Sequence, residues 1–247
     1  MLSGEATGAA KDTQGIVEAI RQLTVARDSA MKARTAALCQ LGDLLVTAPA
    51  ELREQFTGRK SLAGKATVCA RLRPGPLAGG DLVAAVKVAL RSIARRILQL
   101  TEEAAALAAQ LDALVALAAP ATLGQLGLGT QHTATLLIAA GENIDRLRSE
   151  AAFAHLCAAA PIEASSGRTT RHRLNPNGNR QANRALHMIV VVRLRYCART
   201  KAYLARRLQD GKTKREAMRC LKRYVAREIY GTLCTDLRSR TTSAASP

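Results

Sequence analysis

Tryptophan is absent and phenylalanine occurs only twice, so that with four tyrosines the aromatic share of the 247 residues is 2%. A core for this chain must therefore be built from Ala, Leu, Val and Ile, which make up most of its 48% hydrophobic content. That composition favours helices over sheets and gives an all-α expectation. Acidic residues are also scarce, 19 Asp and Glu against 37 Lys and Arg, leaving a net charge of +18. Such a surplus calls for a polyanion, and nucleic acid is the default partner. Cys39, Cys69, Cys157, Cys197, Cys220 and Cys234 include no Cys-x-x-Cys pair and no Cys/His cluster at ligand spacing. This argues against zinc and against a disulfide framework, and fits reduced thiols in a cytoplasmic protein. His132, His155, His172 and His187 form no ligand pattern and take no catalytic role, so no metal ligand is assigned. No early apolar run follows a basic start, and no stretch of about 20 apolar residues is free of charge, so neither a signal peptide nor a membrane span is expected. The nearest run, residues 104–119, is too short and contains Asp112.

What the chain does hold is helical periodicity. Residues 1–12 read as a disordered lead. From residue 14 to 46, Ile16, Ile20, Leu23, Arg27, Ala30, Arg34, Ala37, Leu41 and Leu44 step by four and three along one stripe, interrupted by its two arginines. Pro49 ends that helix, and a polar connection with short helices at residues 50–56 and 61–72 closes on Arg73-Pro74-Gly75-Pro76 and Gly79-Gly80. Then Val86, Leu90, Ile93, Ile97, Leu100, Ala104, Leu107, Leu111, Leu114 and Ala118 keep the alternation for more than four heptads, the strongest periodic signal present. Residues 13–119 are thus expected to form coiled-coil helices. They either fold back as an antiparallel hairpin or pair with a second copy of the chain.

Pro120 opens a region of different composition, residues 120–237. Leu126-Gly127-Leu128-Gly129, a helix at residues 131–140, Gly141 and a helix at residues 149–159 resemble a helix-hairpin-helix, in which Gly127 and Gly129 let backbone N–H groups approach phosphate. A Ser165-Ser166-Gly167 turn, a basic loop and an Asn175-Pro176-Asn177-Gly178-Asn179 breaker cluster follow. Guanidinium groups at Arg168, Arg171, Arg173, Arg180 and Arg184 can all reach phosphate from this loop and the next helix start. A helix is expected at residues 179–208, stopped by Asp210-Gly211, and a last one from Lys212 to about residue 235. From Ser166 onward, 20 Lys and Arg face 4 Asp and Glu. Tyr196, Tyr203, Tyr224 and Tyr230 recur among these cations; their rings either stack on bases or close the core, and the core reading is favoured. Residues 238–247 are expected to be disordered.

On chemistry alone a serine before glycine is a turn or cap residue, because no general base accompanies it at fixed spacing. However, Pro161, Ser166, Gly167, Gly178, Asn179, Arg180, Arg184, Ala185 and Leu186 together resemble the carboxy-terminal domain of the DEDD-and-serine insertion-sequence transposases, whose members recombine DNA with an element-encoded guide RNA, the bridge RNA. The resemblance implies that Ser166 is the DNA-attacking nucleophile, with Ser165 as a one-residue alternative. It implies DNA binding through Gly127, Gly129, Arg168, Arg171, Arg173, Asn179, Arg180 and Arg184. It also implies long helices that carry contacts between subunits, hence a homo-oligomer, with DNA and the element-encoded guide RNA as partners.

In that family a nuclease-like domain holds Mg2+ through four acidic residues, the last two in a Lys-x-Asp-x-x-Asp-Ala context. That context does not occur in these 247 residues, and none of Glu5, Asp12, Glu18 or Asp28 stands in it. No cofactor is therefore expected within the chain itself, and it reads as a truncated copy, inactive alone. Two other classes stay in view: a non-catalytic DNA-binding protein and a coiled-coil assembly module.

Overall fold

A computed structural model of the chain describes residues 10–58, 61–168 and 172–244. It is all-α apart from one two-stranded hairpin, and it divides into two compact units, Leu23–Gln110 and a larger one made of Met1–Gln22 with Leu111–Pro247.

The smaller unit is built from most of helix α1 (Gly15–Thr47) and most of helix α4 (Leu82–Ala118), which run antiparallel, with α2 (Ala50–Glu54) and α3 (Leu62–Cys69) in the connection. The direction follows from two cross-links: Arg34 Nε donates to Thr101 Oγ1 at 2.7 Å, and Arg96 Nη2 donates to Gln40 Oε1 at 2.8 Å. Within the chain the two helices fold back on each other. Along α4, Leu90, Ile97, Ala104, Leu111 and Ala118 are buried at intervals of seven, and Val86, Ile93, Leu100, Leu107 and Leu114 between them are half-buried. This is the a/d pattern of a helix seam. Ala37, Leu41, Leu45, Phe56, Ala66, Leu90, Ala94 and Ile97 form the unit's core. The arginine interruption in α1 has a local cause, since Arg34 is half-buried at the seam and spends its donor on Thr101.

The larger unit holds α5 (Pro120–Leu123), α6 (Thr130–Ala140), α7 (Glu150–Leu156), α8 (Arg180–Tyr196), α9 (Ala198–Gln209) and α10 (Lys214–Ala244), with strands β1 (Ile162–Glu163) and β2 (His172–Arg173). Helix α10 lies along α5, α7, α8 and α9. Its Ala217, Leu221, Val225, Ile229 and Leu233 are buried with Leu136, Leu137, Ile144, Phe153, Leu186 and Ile189. A Thr213-x-x-Glu216 capping box starts it: Glu216 Oε2 accepts from Thr213 N and Oγ1, both at 2.8 Å.

Three boundaries differ from those read in the sequence. The single helix expected at residues 179–208 breaks at Cys197, which is extended at φ −103° and ψ 115°. Tertiary contacts override propensity there. Arg193, only 7% exposed, sends Nε to Leu126 O at 2.9 Å and Nη1 to Glu228 at 2.8 Å, fixing the end of α8, and α9 turns so that Tyr203 meets Tyr224. Second, α10 runs on through residues 238–244, where a disordered tail was expected, and Arg238 donates to Asp145 Oδ1 at 2.9 and 2.6 Å. Third, residues 10–12, expected within a disordered lead, are tied to the larger unit. Residues 1–9 lie outside the described residues, but Lys11 Nζ donates to Ile138 O, Asp12 N to Asn143 Oδ1, and Val17 N to Glu142 Oε2 at 2.8 Å. Glu142 thereby satisfies an orphan donor at the start of α1. Among the described residues no helix is long and apolar enough to cross a membrane.

Cys157 is fully buried, and burial pushes its thiol from an ordinary 9.0 up to about 12. A raised pKa stabilises the fold below the unfolded-state value and loses that contribution as pH rises, because only the unfolded chain ionises between 9.0 and 12. The urea midpoint is therefore expected to fall between about pH 8 and about pH 10.5, and Cys157→Ala to make that fall shallower. An unchanged slope in the variant would remove Cys157 from the account.

Candidate nucleic-acid interface

The breaker cluster does structural work first. Helix α7 ends with Ala158 in the left-handed region at φ +53°, and the carbonyls of its last turn need partners. Asparagines supply them: Asn175 Nδ2 donates to His155 O at 3.0 Å, Asn179 N to Leu156 O at 2.7 Å, and Asn183 Nδ2 to Cys157 O and Ala158 O at 3.0 and 2.8 Å. Gly178 permits this approach, since a Cβ on it would stand 2.5 Å from the Ala158 backbone nitrogen. Asn179 Oδ1 then accepts from Ala182 N at 3.0 Å and caps α8. Asn183 Oδ1 accepts from Lys222 Nζ of α10 at 2.8 Å. The Gly178-Asn179-Arg180 sequence is thus a joint that fixes where α8 begins and, through Asn183, where α10 presents its cations.

Against this joint lies a groove of about 870 Å³. Its floor includes Ala158, Ala159, Pro161, Leu174, Pro176 and Gly178, and its walls carry Arg173, Arg180, Arg207, Lys212, Arg219, Lys222 and Arg223 against one acid, Glu216. Glu216 is already engaged in capping α10. Burial, and after it the charge of Arg219, holds the Lys222 ammonium below the usual lysine range. A groove with this charge imbalance favours a polyanionic ligand.

Pro161 leads into β1, which pairs antiparallel with β2 in the register Ile162 to Arg173 and Glu163 to His172. At the tip of this hairpin Ser165, Ser166, Gly167 and Arg168 are all exposed, and Gly167 takes φ +58°. Arg171 lies outside the described residues. Of the residues singled out in the sequence, Arg173 and Arg180 line the groove, and Asn179 caps the helix that carries Arg180. Arg168 and Arg184 are exposed but are not among the groove's lining residues, and neither is Ser166, which is tied to the groove through its own hairpin.

Gly127 and Gly129 sit elsewhere. Gly127 has φ +91°, and a Cβ there would stand 3.2 Å from Ile189 O of α8, so its lack of a side chain serves packing against that helix. Gly129 is the N-cap of α6, with open space around it. The second helix of the expected pair is shorter than residues 149–159, with Ser149 accepting from Ala152 N to cap α7 at its start and a 3-10 turn, Ile144–Arg146, between α6 and α7.

Sequence reasoning left Arg207, Lys212, Arg219, Lys222 and Arg223 out of the site. The signal was present, because Arg219, Lys222 and Arg223 stand at i, i+3 and i+4 on one helix face. Which face of α10 turns to the joint, however, is decided by packing more than 30 residues away. Among the described residues no group of three or more His, Cys, Asp or Glu is placed to hold a metal ion.

Residues 125–205 match the model of the Transposase IS116/IS110/IS902 family. No curated protein gives a match. The matched stretch takes in α6, α7, the serine hairpin, the asparagine joint, α8 and most of α9. That match, over about a third of the chain, supports a likeness to insertion-sequence transposases.

Proposed function

We propose that this chain is the DNA-gripping, serine-bearing part of an insertion-sequence recombinase. One observation carries the reading: the hairpin that exposes Ser166 at its tip runs directly into a groove walled by seven cations and one already engaged acid. A DNA strand lying in the groove has its phosphates held by Arg173, Arg180 and the α10 cations. The Ser166 hydroxyl attacks a backbone phosphorus at the groove's edge. A seryl ester bond to phosphorus replaces the bond to one deoxyribose oxygen, which takes up the proton that the serine gives up. Gly167, with its left-handed backbone, turns the chain next to the exposed Ser166. Phosphoryl transfer depends on positioning and charge stabilisation, and the groove supplies both from this chain. In the family resembled, Mg2+ is held by an acidic nuclease-like domain, so strand transfer by the groove and Ser166 is expected to require such a domain beside these residues.

The test is a labelled duplex incubated with the chain, with and without a separately supplied acidic domain, and scored for a protein–DNA adduct that survives denaturation. Ser166→Ala is expected to abolish the adduct while duplex affinity stays unchanged, and Ser165→Ala to leave it. An adduct that persists in Ser166→Ala, or none from the unmutated chain under either condition, would leave a DNA-binding role without chemistry.

A further inference from the structure

The expected core role for the tyrosines holds for only part of the set. Tyr230 donates to Leu147 O and packs against Phe153, but Tyr196 and Tyr224 are 63% and 54% exposed. Tyr224 projects into a second groove, of about 720 Å³, bordered by α8, α9 and α10. There its ring meets that of Tyr203 edge to face, with centroids 5.6 Å apart and planes at 74°. Arg206 places its guanidinium 5.5 Å from the Tyr203 centroid, and Arg199 stands exposed on the same wall. The acid in this groove, Glu228, is paired with Arg193 at 2.8 Å, so the two exposed arginines keep their charge for a ligand.

We infer that this groove is a stacking site for the base of an unpaired nucleotide, with Tyr224 as the platform and Arg199 and Arg206 for the flanking phosphates. The break at Cys197 is what builds it. A straight helix through residue 197 would carry Tyr203 away from α10, whereas the bend sets it against Tyr224 and holds that ring in place before a ligand arrives. Preorganised aromatic rings beside arginine are what sequence-tolerant single-strand binding requires, because every base has a face to stack and every link a phosphate. A duplex keeps its bases stacked on one another, so the site selects unpaired strands. The inference shares with the proposed function only the premise that the partner is nucleic acid. It uses none of the same residues.

The experiment measures anisotropy of a labelled oligothymidylate of about 12 nucleotides, enough to span one such site, and of a labelled duplex. Tyr224→Ala is expected to weaken single-strand binding roughly tenfold, while Tyr224→Phe, which keeps the ring, binds as the parent chain does. Neither variant should change duplex affinity, and more than half of the side chain is already in solvent, so the fold is spared. Oligouridylate tested in parallel tells an RNA strand from a DNA strand as the natural source, and preference for either supports the site. Equal weakening of single strand and duplex by Tyr224→Ala, or none, overturns it. Should the parent chain bind the single strand but no duplex, the proposed function falls and the stacking site stands.

Discussion

Alanine at Arg173, Arg180 and Arg219 together is expected to lower duplex affinity several hundred-fold at about 0.1 M salt. Each phosphate neutralised releases about 0.9 of a counterion, worth about 1.2 kcal/mol at that ionic strength, and three lost contacts multiply. The same arithmetic fixes a second readout, since the slope of log affinity against log salt should become shallower by about 2.7. All three side chains are exposed, so circular dichroism should not change. Removal of the same charge from Arg53, Arg71 and Arg95, exposed residues of the smaller unit, provides the comparison. The groove account needs the first triple to cost far more than the second. Equal losses would mean that the chain attracts DNA by net charge alone and that the groove is not where the strand lies.

This site was only half legible in the sequence. The long stripe of α4 could be read residue by residue, because a seven-residue interval depends only on local helix geometry and survives whatever the helix packs against. Gly178, Asn179 and Arg180 could be found as a group, and their position between a loop and a helix was correct. Their division of labour could not. Asn179 reads in the sequence as a phosphate contact, and in the fold its side-chain oxygen also caps α8; Gly178 reads as a breaker, and a Cβ on it would stand 2.5 Å from Ala158. The α10 cations were visible as a charge run, but their meeting with Arg173 and Arg180 is a tertiary fact made through the Lys222 to Asn183 hydrogen bond. The break at Cys197 had no local warning, since neither Gly nor Pro stands there and its cause is the anchoring of Arg193 to Leu126, Gln125 and Glu228. Asp236, one residue beyond the end expected for the last helix near residue 235, is the strongest case of the same kind: an acid in a basic tail that proves to be buried.

Asp236→Ala is expected to be the most destabilising single substitution in the larger unit, by about 3 to 5 kcal/mol. The carboxylate is 4% exposed, and it accepts from Ala121 N at 3.0 Å, Thr122 N at 2.9 Å and Thr122 Oγ1 at 2.7 Å. Pro120 at the first position of α5 has no N–H to give, so the next two amides are the orphan donors of that helix start, and Asp236 of α10 satisfies both. With alanine there, two amides and a hydroxyl lose a charged acceptor at a site that water does not reach, and each buried donor left without a partner costs about 1 to 3 kcal/mol. Thr122 Oγ1 retains Thr232 Oγ1 at 3.1 Å, which keeps the total below a full threefold loss. Asp236→Asn should cost less, since its one remaining carbonyl oxygen can still serve one amide while its NH2 faces the other. Urea denaturation followed by helical circular dichroism orders the three chains: the parent highest, Asn between, Ala lowest. If Asp236→Ala unfolds at the parent's midpoint, then α5 does not depend on this carboxylate, and the docking of α10 against it rests on the apolar contacts of Leu233 and Leu237 instead.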